Sequence, residues 1–519
     1  MIRKKLPIGI QTFAKIREDG CYYVDKTGFA LKLIESGTHY FLSRPRRFGK
    51  SLFLDTLAEL FVGNEPLFRG LHIHDSWDWS KRYPVVRISF AEGVLSGPEA
   101  LDQRIREILQ HEQARFGVTC ENQSISGIFS ELLESVAKSH GQRVVVLVDE
   151  YDKPILDNLT RPEMARAIRD GLRNLYSVIK GRDAYIKFAF LTGVSKFSKV
   201  SLFSGLNHLR DITISREYSA LCGYTEADVD GIFAPELDDL DRDEIRRWYN
   251  GYNWTGEAVY NPFDLLLLFQ ERQFRPWWFE TGTPTFLVDL LTRRHQFVPG
   301  LGHQVTPETL LSRFDVDDMP SEALMFQTGY LTIDREEWIG NRYLYHLRYP
   351  NHEVWMGLNE QILYALTNTQ SQTSHQLYRL HQLLLANDFP GMERLFTAFF
   401  ASIPLDWYRN NPIAQYEGYY ASVFYAYFAS LGLDITPEDT SNQGRLDMAL
   451  RFNAHIYLFE FKVVELAPEG RALVQIKARG YAEKYRAEGQ PIHLIGVEFS
   501  RESRSVVGFE VETINDVPP

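Results

Sequence analysis

Four short apolar runs, each separated from the next by helix-length sequence, organise residues 20–195: Tyr40-Phe41-Leu42, Pro84–Phe90, Arg143–Val148 and Ala184–Leu191. Runs this short and this apolar are what buried strands of a parallel sheet require, because crossover helices cover both of its faces. An α/β fold is therefore expected for the first third of the chain. Residues 216–300 change to helical segments broken by Gly, Asn and Pro, including Trp248–Trp254 and Val259–Pro262, and read as a mainly helical lid, open to a winged-helix-like arrangement. Residues 301–390 mix a small sheet (Leu331–Asp334, Tyr343–Tyr349) with helices rich in Leu, His and Gln, and no chemistry is assigned to them. From 391 onward the order helix, strand pair, helix, strand pair suggests a second α/β domain. The expected segments are thus 1–215, 216–300, 301–390 and 391–519, and the length of 519 residues fits about three domains at roughly 150 residues each.

Composition narrows the function classes. The chain is 44% hydrophobic, which is too apolar for a mainly disordered protein. Its net charge of −12 provides no global field for nucleic acid or anionic membrane, so any such binding is local. The three cysteines, Cys21, Cys120 and Cys222, are far apart and form no CxxC or Cys/His pattern, which excludes a disulfide framework and a thiolate zinc site. The basic start lacks an apolar signal core, and the greasiest runs, Val144–Val148 and Leu265–Phe269, fall far short of the ~20 apolar residues that span a bilayer. A cytoplasmic protein with no membrane partner is expected. No internal repeat or low-complexity stretch is found.

The segment Ser43-Arg-Pro-Arg-Arg-Phe-Gly-Lys-Ser51 follows the first short strand and opens a helix over Leu52–Phe61, the setting a phosphate-binding loop needs. Gly49 would let the backbone approach phosphates, Lys50 would reach the β and γ oxygens as a surface charge, and the Ser51 hydroxyl would ligate Mg2+. Arg44 replaces the usual first glycine, and a lone GKS at a helix start is also a common cap. In Val144–Asp149-Glu150-Tyr151-Asp152 two carboxylates leave the C-terminal end of an apolar strand, where open α/β sheets bind ligands. Asp149 is expected to hold Mg2+ and Glu150 to act as general base, with Asp152 as its substitute. Thr192 ends the fourth run, where NTPases of the additional-strand class carry a polar sensor. It is a candidate γ-phosphate sensor, and capping a strand is the equal alternative. Arg44, Arg46, Arg47 and Arg210 are candidates for an arginine finger, and Arg47 also for a phosphate sensor in cis.

Near the C-terminus, Arg445–Phe452 and His455–Lys462 flank Asn453-Ala454, a connection suited to a hairpin. If Phe452 faces His455, stepping back five residues on one strand and forward five on the other sets Asp447 opposite Glu460. Their Cβ atoms would lie ~5 Å apart, with Lys462 on the same face. Facing carboxylates repel each other, and a divalent cation with oxygen ligands, Mg2+ or Mn2+, removes that penalty. A surface hairpin with ordinary Asp, Glu and Lys residues is the structural alternative. The basic residues Arg471, Lys477, Arg479, Lys484 and Arg486 that follow read first as a solvated helix face and second as a phosphate contact. The aromatics Trp248, Tyr249, Tyr252, Trp254, Tyr260, Trp277 and Trp278 read as core before they read as base-stacking surface.

Tyr23–Thr27, Arg44–Ser51, Asp149–Pro154, Leu191–Ser195 and Gly205–Asp211 together closely resemble the bacterial AAA-ATPase-like family, whose members similar to this chain usually end in a PD-(D/E)xK nuclease-like domain. Within that family an arginine in place of the first glycine is normal. The resemblance implies ATP binding. Residues 410–512 resemble the nuclease fold through D-x(12)-E-x-K, which implies Asp447 and Glu460 as metal ligands, the Phe461 carbonyl as a third, and Lys462 as the residue that orients or activates water. It also implies Glu417 as the acidic residue of the first helix, near the metal, and Gln475, Lys477 and Tyr481 on the helix after the strands, where phosphate or metal is approached. An ATPase joined to a metal-dependent nuclease acting on nucleic acid, DNA first, is the expected function, in defence, mobile-element control or repair. A nucleotide-dependent binding switch without cleavage is the runner-up, a scaffold with a vestigial phosphate loop is third, and homo-oligomerisation is left open.

Overall fold

The computed structural model describes the chain except residues 1–2, 198–207, 281–286, 289, 292–293, 295–297, 312–314, 368–369, 403–416, 442–443 and 516–519; the side chains of 280, 366–367, 370–372, 402, 417, 419 and 441 are also outside it. It forms two compact units, one of residues 1–281 with 305–351 and the other of 282–304 with 352–519. Residues 301–390 divide between them.

The first unit is built on a parallel sheet of β1 (His39–Ser43), β2 (Val85–Ser89), β3 (Val144–Asp149), β4 (Ile186–Gly193) and β5 (Arg210–Asp211), ordered β2-β3-β4-β1-β5. Each of the four expected runs is a strand. Val144–Val148 are all 0% exposed, and burying each such side chain contributes about 1.5–3 kcal/mol before chain entropy is subtracted. Amphipathic helices Pro98–Phe116, Ile125–His140 and Pro162–Gly181 connect the strands, and Ser124 caps the second by accepting from Gly127 N–H. Placing β4 between β1 and β3 is the arrangement of the additional-strand class. It sets the ends of β1 and β3 one strand apart, with room between them for a ligand.

Helices Glu226–Ile232, Arg242–Tyr249 and Pro262–Glu271 follow. Tyr249, Tyr252, Trp254, Tyr260, Trp277 and Trp278 are buried, with Tyr249, Tyr260 and Trp277 in one cluster with Val229, Phe233 and Leu265. The aromatic segment is core, as large apolar rings dictate. A small sheet of β6 (Gln304–Pro307), β7 (Thr332–Ile339) and β8 (Arg342–Arg348) is ordered β6-β8-β7, with β7 and β8 antiparallel.

The second unit carries a mixed sheet of β9 (Asp434–Ser441), β10 (Gly444–Phe452), β11 (His455–Val464), β12 (Ile492–Ser500) and β13 (Val506–Ile514), ordered β13-β12-β11-β10-β9. Neighbours are antiparallel except β11 and β12. Alternation along β11 splits the core in two. Ile456 and Leu458 pack with Ile476 and Tyr485 on one face, while Phe459 and Phe461 meet Phe424 of the helix Glu417–Ser430 on the other. Among the described residues no helix is long and apolar enough to cross a membrane.

Candidate functional site

In the first unit, β1 leads into the loop Arg44–Gly49 and then the helix Lys50–Val62. Gly49 has φ +90°, a left-handed conformation that favours glycine, and it starts the helix with no side-chain cap. Its first amides are thereby left for a ligand. Ser51 is the second residue of that helix. Lys50, expected as a surface charge, is instead buried, and its Nζ donates to the carbonyls of Arg44 and Pro45 at 3.0 Å each. Burial lowers its pKa, opposed by the charges of Asp149 and Glu150. The loop curls around its own lysine because those carbonyls are the acceptors within reach.

Asp149 ends β3, and Glu150 follows with φ +50°. Its N–H donates to Asp149 Oδ1 at 3.0 Å. Burial pushes the Glu150 carboxyl up, Asp149 pushes it further, and Lys50 opposes, followed by smaller effects from Asp152 (up) and Arg46 (down). Arg47 also has positive φ, +70°. Two non-glycine residues in this sparsely populated region thus lie in the loops that follow β1 and β3.

The remaining half of the carboxylate motif faces away. Asp152 is 1% exposed and accepts from Val194 N–H at 3.1 Å, Ser195 N–H at 2.6 Å and Ser195 Oγ at 2.5 Å. Tyr151 OH donates to the Ser195 carbonyl at 2.9 Å. Asp152 is thus committed to the turn after β4 and does not serve as a substitute base. That turn is held from the other side by Gln327, whose Oε1 accepts from Lys196 N–H at 2.8 Å. Thr192 is fully buried, and its hydroxyl donates to the Leu42 carbonyl at 3.0 Å.

The four arginines separate. Arg44 is fully buried, donates to the carbonyls of Ser43, Thr213 and Tyr218, and lies 3.9 Å over the Trp254 ring. Burial lowers its pKa to about 10. It is a strut of the loop and no finger, which explains why a cation stands where a glycine is usual. Arg210 pairs with Glu217, Arg47 lies over the Phe263 ring at 4.8 Å, and Arg46 is exposed with its charge felt at Glu150.

In the second unit the hairpin has the expected register from Phe452–His455 to Met448–Phe459, and one further step at that register would set Asp447 opposite Glu460. Asp447 Oδ2 accepts from Phe461 N–H at 2.8 Å. Glu460 has its side chain 1% exposed, and its Oε1 accepts from Lys462 Nζ at 3.1 Å and from Gln475 Nε2. Tyr481 OH donates to the Arg445 carbonyl at 2.8 Å. Burial raises the Tyr481 pKa, Glu460 adds to the rise and Arg479 opposes it. Lys477 does not join this group: it is exposed and pairs with Glu512 at 2.7 Å. The helical period separates it from Gln475 by two residues, which places the two on different faces. Glu417 begins the helix Glu417–Ser430, but its side chain lies outside the described residues.

Oxygen donors on one face, one of them deeply buried, fit a hard dication. Among the described residues no cluster of three or more His, Cys, Asp or Glu side chains is positioned for a metal. A dication held here would have the Asp447 and Glu460 carboxylates as its side-chain donors, and a backbone carbonyl would have to complete the set. Sequence reasoning missed Ser195 and Gln327, and also Glu498, whose carboxylate caps the helix carrying Gln475. Ser195 ends the string Leu191–Ser195 without a role assigned to it there, Gln327 sits in no recognisable string, and an acidic residue inside an apolar strand was the one signal available for Glu498.

Fold and side-chain placement define a phosphate-loop α/β unit and a nuclease-type mixed-sheet unit in one polypeptide. Residues 7–203 match the family model described as predicted AAA-ATPase, and residues 415–509 match the PD-(D/E)XK nuclease superfamily. A protein of Azotobacter chroococcum mcd 1, described as "Uncharacterized protein in vnfD 5'region", is 68% identical over 515 residues, 99% of this chain and 100% of that protein. No solved structure matches. The chain belongs to the AAA-ATPase-like family with a C-terminal PD-(D/E)XK nuclease domain.

Proposed function

We propose that the protein is a cytoplasmic ATPase whose nucleotide state controls a metal-dependent nuclease acting on DNA. The observation that carries the nuclease half is the shared acceptor: Lys462 and Gln475 both donate to Glu460 Oε1, next to Phe461, whose N–H donates to Asp447. A solvated surface hairpin has no reason to bury a carboxylate and aim two donors at it.

At the first site, Lys50 would leave the carbonyls of Arg44 and Pro45 for the β and γ phosphates. Ser51 and Asp149 would hold Mg2+, Glu150 would take the proton of the attacking water, and Arg46, whose charge acts on Glu150, would meet charge on the γ-phosphate in cis. At the second site, Asp447 and Glu460 would hold Mg2+ or Mn2+, and Lys462 would orient the water. A bound dication there lowers the water pKa and offsets charge on the scissile phosphate. A defence or mobile-element setting fits a nuclease held under nucleotide control.

Plasmid, single-stranded DNA and RNA are incubated with the protein, with and without ATP and Mg2+. Mg2+-dependent cleavage of DNA that changes with ATP supports the reading. ATP turnover without cleavage of any of them supports the binding switch instead.

A further inference from the structure

The helix Arg471–Ala478 carries Gln475 to the metal site, yet it provides no cap of its own. Its N-cap residue is Gly470, at φ +70°, with no side chain to accept from the first amides. The acceptor comes from β12. Glu498 is 2% exposed, and its carboxylate takes four backbone N–H groups: Glu469 at 2.5 Å and Gly470 at 3.0 Å on Oε2, Arg471 at 2.6 Å and Ala472 at 3.3 Å on Oε1. These are the donors that a helix leaves unsatisfied, and an anion there also complements the positive end of its dipole.

The surroundings are shaped for this contact. A Cβ on Gly496 would lie 2.4 Å from Leu473 N, so the helix rests directly on the β12 backbone. Gly508, paired with Glu498 on β13, leaves room where a Cβ would meet Glu498 Cβ at 3.3 Å and Pro468 Cβ at 3.2 Å. In the parallel ladder Glu498 pairs with Lys462, so both point to the face that bears Glu460. Gln475 stands one turn beyond Arg471, about 6 Å along the axis. The anchored first turn therefore sets where Nε2 meets Glu460.

We propose that Glu498 is a positioning residue of the metal site, acting through Gln475 on the orientation of Glu460. The inference rests on the nuclease reading. Partners that orient metal ligands typically change metal affinity or activity by 10–100-fold.

The test uses the full chain, with Mn2+ affinity by calorimetry and Mg2+-dependent cleavage of plasmid. Glu498→Gln keeps the shape and removes the charge, and it is expected to weaken Mn2+ binding and slow cleavage by about tenfold or more. Gln475→Ala should do the same, and the double variant should be no worse than the weaker single one, because both act along one path. Arg471→Pro, read against Arg471→Ala, removes one N–H to Glu498 at the helix position that tolerates proline, and serves if Glu498→Gln fails to fold. It should weaken Mn2+ binding about threefold, within the 10-fold limit of the full cap loss. Multiplying effects in the double variant, or a folded variant with wild-type Mn2+ affinity and cleavage, would overturn the positioning role alone. Wild-type protein that neither binds Mn2+ nor cleaves would overturn the nuclease reading, and the positioning role with it.

Discussion

At Lys50 the motif pointed to a phosphate-facing lysine but not to its surroundings, because a local string does not encode which carbonyls a loop turns inward. Its ammonium is held by two loop carbonyls, so a nucleotide bound here would have to exchange with contacts that already exist. Lys50→Met is expected to weaken ATP binding at least tenfold, about 1.4 kcal/mol. Thermal stability should move by no more than about 1 kcal/mol, since a buried charge and its hydrogen bonds leave together. A fluorescent ATP analogue titration and a melt check both; unchanged affinity would remove Lys50 from the phosphate site. Asp447 poses the complementary case. Asparagine preserves an acceptor for Phe461 N–H and removes one of two facing charges. Asp447→Asn should therefore abolish cleavage while the metal-free melting temperature stays level or rises. A strongly lowered metal-free melt with cleavage retained by the folded fraction would make the hairpin a scaffold.

Strands and their register were legible because both obey short-range rules. Four apolar runs fixed β1–β4, and a two-residue connection fixed how β10 meets β11. What the pattern did not carry was which side chains hold the elements together across sequence distance: Asp152 on the turn after β4, Gln327 on Lys196, Glu498 on the helix 471–478. Such contacts join segments that no periodicity links. The hairpin connection itself holds strain. Asn453 and Ala454 have φ +50° and +59°, the twist-matched geometry of a two-residue turn. Asparagine tolerates that region, whereas alanine costs about 1–2 kcal/mol there. Ala454→Gly should recover part of this, roughly 0.5–1 kcal/mol after glycine's extra unfolded entropy, and raise the melting temperature by a few degrees with Mn2+ affinity unchanged. A lowered melt would mean that the Ala454 methyl packs more strongly than its backbone is strained.

At the scale of the whole molecule, division into two units lets each respond to conditions by its own buried groups. The second unit has a histidine pair at the start of β11 and β12. His455 Nδ1 and His493 Nε2 are 2.9 Å apart with the rings stacked, His493 Nδ1 meets Thr513 Oγ1 at 2.9 Å, and Phe389 and Tyr457 pack against the His493 ring. Tyr457 OH in turn donates to Asn387 at 2.6 Å. No carboxylate faces His493 in these contacts. Burial lowers its pKa to about 4, with the neighbouring His455 adding to the fall. The folded state thus favours the neutral ring, while the unfolded chain takes a proton near pH 6.5. Below that pH the unfolded state binds more protons, so the stability tied to His493 is full above about pH 6.5 and is lost as pH falls toward 4. Acid also protonates carboxylates elsewhere, so the informative quantity is a difference. His493→Gln still bonds to His455 and Thr513 but takes no proton. Melts from pH 7.5 to 4.5 should show wild type more stable at the upper end, with the gap closing steadily below pH 6.5. A gap that is constant across this range would mean that His493 takes up its proton equally in the folded and unfolded chain, and a gap that widens as pH falls would mean that the fold holds it protonated; either removes the role of burial.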